Sequence, residues 1–281
     1  MTAQLVSRGP SLPPRITGYI DAIAQACTQE GRGLVSIILF GSAAKGGFSQ
    51  KVSDVDLIVV LPDGASGQER ARVRGEVSRL EVAHGFKEPA GPRNPLQAFA
   101  ERAGGNDLSC FVCTRSDLLS GEVARVFGLR AAEALFIDRI VFANVIASAV
   151  TVWGEDLLPQ VRPPPVRRLD VFKACFAFTN QVFLSLAAYA LLPDATRYAM
   201  GALKRSLHSC YFCYHQKTTA LDEEVAFFQQ RLGDSGTLRL LLELRGQYRK
   251  SFGFVLRSVP ALLWLHLRTA RDNAFPLEVR R

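Results

Sequence analysis

The sequence lacks an export signal, an internal repeat and a long low-complexity tract. Its opening residues, MTAQLVSRGPSLPP, contain no uninterrupted apolar segment and no small-residue cleavage pattern, and prolines interrupt them early. We therefore expect the protein to be cytoplasmic.

A membrane span is also missing from the sequence pattern. The most membrane-like stretch, 171–192, carries Lys173, Thr179, Asn180 and Gln181 near its start, and these side chains would be costly in lipid. We predict a buried helix there and no membrane partner.

Six cysteines include two pairs, Cys110-x-x-Cys113 and Cys210-x-x-Cys213, with the spacing of zinc half-sites. The first pair lies in a strand-like run, where positions three apart point to opposite faces. The second pair shares a helix face with aromatic residues, which favours small core side chains. We predict buried thiols instead of zinc ligands, and no structural disulfides in a reducing compartment.

The charge is positive and uneven. There are 34 Lys and Arg against 26 Asp and Glu, which gives +8, and residues 151–281 hold 18 basic and 11 acidic residues, so +7 lies there. An anionic partner would fit, but unspecific surface charge explains the excess equally well. Among the possible functions, binding of nucleic acid through the basic residues is the least favoured, because no motif interleaves aromatic and basic residues.

The 281 residues, 48% of them hydrophobic, are enough for a packed core and one or two domains. Periodicity predicts the following elements in the first part: a helix at 16–28, strands at 34–40 and 54–61, a helix at 68–84, a strand at 108–114 and a short strand near 151–159. The proline-rich segment PQVRPPPVRR predicts a domain boundary, with domains at 1–160 and 161–281. Helices are predicted beyond it, at 169–192, 197–218, 221–232, 236–257 and 261–270, as a helical bundle.

Two aspartates open the second strand, in the sequence DVDLIVVL. Because side chains alternate along a strand, Asp54 and Asp56 share a face with Ile58 and Val60, while the other face is also apolar. Such a strand is central and covered, and two nearby ionised carboxylates repel each other there unless a cation neutralises them. Oxygen ligands that leave room for water and phosphate suit Mg²⁺. The alternative is that the strand simply begins in a polar turn with both aspartates solvated.

A small-residue turn, Gly41-Ser42-Ala-Ala-Lys45, follows the first strand. Gly41 permits close approach of the main chain to a phosphate, Ser42 can donate its hydroxyl and Lys45 supplies positive charge. The turn and the aspartates are predicted to lie at the ends of adjacent strands.

Together these residues resemble the signature of the DNA polymerase β-like nucleotidyltransferase superfamily, in the bacterial and archaeal branch that includes aminoglycoside nucleotidyltransferases. The string GSAAKG…SDVDL is similar to that branch's Gly-Ser-x-Ala-Arg-Gly…Ser-Asp-x-Asp-Leu, with eleven residues between Gly-Ser and Asp-x-Asp and with Lys45 where arginine is common. The resemblance implies an α/β (α+β) nucleotidyltransferase domain with a small mixed sheet, followed by an all-α helical bundle.

The resemblance also implies a reaction. A nucleoside triphosphate would bind as its Mg²⁺ complex, an acceptor hydroxyl would attack the α-phosphorus, and pyrophosphate would leave. Asp54 and Asp56 would hold Mg²⁺, and Gly41, Ser42 and Lys45 would bind the β- and γ-phosphates. The acceptor, whether small molecule, protein or RNA, the base of the nucleotide and the oligomeric state stay open.

One departure from the family pattern concerns the third strand, DLSCFVCT. Relatives place a third carboxylate there, and Ser109 stands at the expected position. Asp107 could substitute as a catalytic group if a bulge shifts the register, or it could merely begin the strand. The missing carboxylate keeps a second function open, that of a catalytically inactive nucleotidyltransferase-like binding or regulatory protein in a toxin–antitoxin or defence pair.

Overall fold

A small sheet flanked by helices is followed by an array of longer helices in the computed structural model, which describes residues 12–28, 33–44, 55–87, 109–129, 138–233 and 236–279. The first part contains α1 (Pro14–Thr28), β1 (Ser36–Phe40), α2 (Gly41–Ala44), β2 (Asp56–Leu61), α3 (Gly67–Ala83), β3 (Cys110–Thr114), α4 (Arg115–Leu119), α5 (Val123–Phe127), α6 (Arg139–Ser148) and β4 (Val150–Gly154). A short 3₁₀ helix (Leu158–Gln160) precedes α7 (Arg168–Ala188), α8 (Ala195–His215), α9 (Leu221–Leu232), α10 (Gly236–Gly246) and α11 (Phe252–Asp272).

The four strands form one mixed sheet in the order β3-β2-β1-β4. Strand β1 pairs antiparallel with both β2 and β4, and β2 pairs parallel with β3. The predicted mixed sheet is confirmed, with β2 as an inner strand.

The two faces of β2 belong to different hydrophobic clusters. Val55, Leu57 and Val59 pack with residues of α1 and α3. Ile58 and Val60 pack on the other face with residues of α5 and α6. This alternation follows from the two-residue period of a strand, and it confirms the predicted covered strand.

Helix α3 begins with a capping box that its sequence encodes. The side chain of Ser66 accepts a hydrogen bond from the Glu69 amide at 3.2 Å, and the Glu69 carboxylate accepts one from the Ser66 amide at 2.7 Å. This arrangement satisfies two amides that would otherwise lack helical partners. It fixes where α3 starts, and so where its buried side meets the sheet.

The predicted helical bundle is confirmed after the proline-rich segment. Helices α7, α8 and α11 pack closely on one another. Helix α6 touches both parts, since Ile140 packs with the bundle while Phe142 and Ile146 pack against the sheet. The division at residue 160 stays a prediction.

Two predicted helices have different bounds in the structure. The helix predicted at 236–257 ends at Gly246, and α11 begins at Phe252 and continues through Pro260, where we had predicted a break. Ser251 caps the new helix by accepting a hydrogen bond from the Phe254 amide at 3.3 Å. The capped start and the buried side of α11 outweigh the single hydrogen bond that Pro260 removes.

The thiols lie as the strand and helix patterns predict. All six cysteines are free, and five of them are buried. Cys110 packs on the α1–α3 face of the sheet and Cys113 on the α5–α6 face, so the first pair points to opposite sides. Burial raises the pKa of the Cys113 thiol to about 12.

A buried histidine in the bundle predicts a pH-dependent stability. His266 is inaccessible to solvent, with Nε2 3.1 Å from the Ser206 hydroxyl and Nδ1 3.6 Å from the Cys210 sulfur. Burial lowers its pKa from 6.5 to about 3. Below pH 6.5 the unfolded chain therefore takes up a proton that the native chain refuses, so stability is fully present above pH 6.5 and falls as the pH falls toward 3.

We expect His266→Leu to remove this dependence. The difference in free energy of unfolding between wild type and variant should change by about 2 kcal/mol between pH 7 and pH 5, since one pKa unit corresponds to about 1.4 kcal/mol. Urea unfolding at both pH values measures it. Asp138, whose pKa burial raises to about 6, acts with the opposite sign but is common to both proteins and cancels. If the free energy of unfolding changed equally with pH in the two proteins, His266 would not be the source of the pH dependence.

Candidate active site

The end of β1 and the start of β2 lie side by side, because Phe40 pairs with Asp56 in the antiparallel register. Gly41 then leaves the strand with a φ of 71° and enters the short helix α2. A Cβ atom built on Gly41 would overlap the Asp56 carboxylate. The glycine of the Gly-Ser turn and the second aspartate of Asp-x-Asp are therefore in direct contact.

The described residues hold two of the predicted site residues in full, Gly41 and Asp56. The backbone of Ser42 follows in α2, whereas its side chain lies outside the described part. Lys45, Asp54 and Asp107 lie outside the described residues as well. Their predicted roles stay predictions.

Asp56 occupies the boundary between solvent and the sheet core. It is partly exposed, while every following residue of β2 is buried. Its carboxylate oxygens suit a hard cation such as Mg²⁺. Among the described residues no group of three or more His, Cys, Asp or Glu side chains is placed to hold a metal ion, and the predicted second ligand, Asp54, falls outside them.

Ser109 lies beside Asp56 on the neighbouring strand, as the motif alignment predicts. Leu57 pairs with Cys110 in the parallel register, and the Leu57 amide donates a hydrogen bond to the Ser109 carbonyl at 2.8 Å. The position just before β3 therefore adjoins the start of β2. A serine therefore stands at the position where the resemblance predicts a third carboxylate.

A carboxylate that sequence analysis missed contacts this serine. The Ser109 hydroxyl donates a hydrogen bond to Glu81, near the end of α3. Glu81 is 4% exposed. Burial, together with the Glu81 charge, raises the pKa of Tyr19 and of Cys110.

One sequence signal could have found Glu81. It follows Val73 and Val77 at four-residue spacing, which places it on the buried side of α3. A glutamate there is unusual, because ionised carboxylates are seldom buried without partners. Glu81 contacts Ser109 from a helix on the α1–α3 side of the sheet, near Tyr19 and Cys110.

Comparison with known proteins concerns the domain and the fold. Residues 20–102 match the family model of the nucleotidyltransferase domain. The crystal structure of spectinomycin adenyltransferase AAD(9) from Enterococcus faecialis with ATP and spectinomycin is similar, with a TM-score of 0.50 and 11% sequence identity over 90% of this chain and 98% of that chain. No curated protein matches the chain.

Residues 20–102 therefore match a nucleotidyltransferase domain, in line with the resemblance of the motif to the DNA polymerase β-like nucleotidyltransferases. At 11% identity, the likeness to the adenyltransferase concerns the fold: a small mixed sheet followed by a helical region. The family match supports the predicted class of enzyme, a nucleotidyltransferase that uses a nucleoside triphosphate.

Proposed function

We propose that this protein transfers a nucleoside monophosphate from a Mg²⁺-bound nucleoside triphosphate to an acceptor hydroxyl and releases pyrophosphate. The attacking hydroxyl oxygen forms a bond to the α-phosphorus, the bond to the bridging oxygen of the pyrophosphate breaks, and the hydroxyl proton passes to a base. We propose a cytoplasmic location for this reaction.

The roles of the residues follow from their chemistry. Asp54 and Asp56 would hold Mg²⁺, which neutralises charge on the phosphate oxygens when bound. Gly41 and Ser42 offer backbone amides and a hydroxyl to the β- and γ-phosphates, and Lys45 adds a positive charge. We assign the base to Asp107, as the acidic residue closest in sequence to Ser109.

The contact between Gly41 and Asp56 is the observation that carries this proposal. A phosphate held by the turn and a cation held by Asp56 would be immediate neighbours, because even a Cβ atom on Gly41 would overlap the Asp56 carboxylate. Metal and triphosphate bind as one unit in phosphoryl transfer. The same contact has no evident use in a strand that merely begins in a solvated turn.

Binding of each of the four nucleoside triphosphates, with Mg²⁺ and with EDTA, tests the proposal. We expect one or more to bind with Mg²⁺ at least about tenfold tighter than with EDTA, since the cation offsets repulsion between carboxylates and phosphates. The double variant Asp54→Asn, Asp56→Asn should lose this difference. ATP is the first nucleotide to use, because the similar adenyltransferase was solved with it.

Turnover separates catalysis from binding alone. Pyrophosphate release should appear when an acceptor is supplied, and aminocyclitol antibiotics, RNA with a free 3′ hydroxyl and protein hydroxyls are the three acceptor classes to supply. Wild-type protein that binds no triphosphate more tightly than the double variant does would refute the proposal. Binding without turnover on any acceptor class would favour the regulatory alternative, which the serine at position 109 supports.

A further inference from the structure

The outward side of α7 is mostly apolar, with exposed Asn180 as a polar residue between Phe176 and Phe183. Leu169, Phe172, Phe176 and Phe183 follow one another at spacings of three, four and seven residues, and each is between 45% and 62% exposed. The opposite side, which includes Phe178 and Val182, is buried in the bundle. We had predicted a buried helix here, and the prediction is correct for one side only.

Helices that are apolar all round are normally covered on every side. By length and composition alone α7 is long and apolar enough to cross a membrane. The core helix of a soluble protein passes the same test. Its buried side forms part of the bundle core, so α7 resembles an inner helix of a bundle whose outer layer is not found among the described residues.

Helix α11 runs antiparallel beside α7 and continues the apolar surface. The rings of Tyr189, just after α7, and Phe252, at the start of α11, lie 5.1 Å apart. At the other end, Val166 and Leu277 form a β-bridge. The α11 residues on this surface are between 41% and 52% exposed: Phe252, Leu256, Leu263, Trp264 and Leu267.

We call this surface the α7–α11 face, and its size indicates what covers it. With Leu191, which is 69% exposed, it has ten large apolar side chains, each about half exposed. At roughly 200 Å² for each fully exposed side chain, they present about 1,000 Å² of surface. The largest apolar patch on a monomer is about 300–600 Å², whereas a stable protein–protein interface buries about 800 Å² on each partner.

We propose that the α7–α11 face is a dimer interface, with a second copy of this chain as its occupant. Two antiparallel helix pairs of equal length, each helix about 30 Å long, would face each other across a twofold axis and form a four-helix layer. The area that the face offers matches the area that such a dimer needs. Arg168 and Lys173 lie next to the outward stripe of α7, and Arg257 and Arg271 are exposed on α11, so their charged ends would have to stay in solvent at the rim of the interface.

A hollow at the border of the face fits the same occupant. It lies between α10 and α11, has a volume of about 310 Å³, and is lined by residues that include Arg257, Pro260 and Trp264. An aromatic side chain inserted into a pocket of this kind is a typical centre of binding energy at an interface. The phenylalanines of a facing α7 supply such side chains.

Sedimentation of the full chain tests the dimer. From about 0.1 to about 100 µM, wild type should shift from a mass of 30.8 kDa to twice that value. The double variant Phe176→Ser, Phe183→Ser should raise the dissociation constant at least about 100-fold, as loss of two buried aromatic contacts does. The matched variant Phe176→Leu, Phe183→Leu keeps apolar side chains at both positions and should stay dimeric.

Each other outcome overturns the proposal. A wild type that stays monomeric over the whole range leaves the face without a second copy. A monomer that sediments with vesicles of phosphatidylcholine and phosphatidylglycerol would assign the face to lipid. A dimer unaffected by the serine substitutions would lie elsewhere on the chain. Should that variant fail to fold by circular dichroism, Leu256→Ser, Leu263→Ser tests the same face from α11.

Discussion

Replacing Asp56 by asparagine is expected to lower nucleotidyl transfer by at least about 1,000-fold, which corresponds to a loss of about 4 kcal/mol of transition-state stabilisation. Asparagine keeps the size and one oxygen of the side chain but removes the negative charge to which we assign the binding of the cation. The effect should fall on the catalytic step and on Mg²⁺-dependent triphosphate binding. The variant should still fold, because Asp56 is partly exposed at the start of β2.

Thermal unfolding gives a readout that needs no acceptor. A ligand that binds only the native protein stabilises it by about 2.7 kcal/mol at a hundredfold excess over its dissociation constant. Mg²⁺ and triphosphate together should therefore raise the Tm of wild type but leave that of Asp56→Asn unchanged. The rise is measured for each protein against its own Tm without ligand.

Asp21→Asn is the matched control for this substitution. Asp21 is exposed on α1, and its replacement makes the same chemical change away from the candidate site. It should retain wild-type transfer and the full ligand-dependent rise in Tm. If Asp56→Asn kept both properties as well, the metal-binding role of this carboxylate would be wrong.

The placement of Asp56 was predictable because it depends on local rules. A strand alternates its side chains, so the positions of Val55, Leu57 and Val59 fix the side on which Asp56 lies. The adjacency of the Gly41 turn follows from the pairing of the two apolar strands, which brings the end of β1 beside the start of β2. Both features are encoded within about 25 contiguous residues, 36–61, where tertiary context has little freedom to change them.

The contact between Glu81 and Ser109 was not predictable in the same way. The two residues are 28 positions apart, on a helix and at the start of a strand. Their meeting depends on how α3 packs across the sheet, which the separate periodicities of helix and strand do not specify. Only the presence of a glutamate on the buried side of α3 hinted that it has a partner.

The outer side of α7 shows a second limit of sequence reasoning. Apolar residues on all sides of a helix predict burial, but they do not tell whether the cover comes from the same chain. Phe176 and Phe178 are chemically identical and two positions apart, yet Phe178 lies in the core and Phe176 is 59% exposed. The sequence pattern predicts that both are covered, and the structure shows that only Phe178 is covered by residues that it describes.

Replacing Gly41 by alanine should inactivate the protein through Asp56. The new Cβ would overlap the Asp56 carboxylate, so the carboxylate must move away from the turn. A displacement of about 1 Å in a catalytic group can cost about 100-fold in rate, and we expect a loss of at least that size in transfer and in Mg²⁺-dependent triphosphate binding. The φ of 71° adds a backbone cost of about 1–2 kcal/mol to the free energy of unfolding.

The variant Gly128→Ala separates the displacement of the Asp56 carboxylate from the backbone cost of a positive φ. Gly128 has a φ of 63° and caps α5, and a Cβ there would meet only the end of the Arg74 side chain, at an ordinary 3.4 Å. It should therefore lose a similar amount of stability in urea unfolding while keeping wild-type binding and transfer. Equal activity in the two variants would mean that the turn tolerates a moved carboxylate. A selective loss in Gly41→Ala would instead show that the missing side chain at position 41 makes room for the carboxylate that binds the cation.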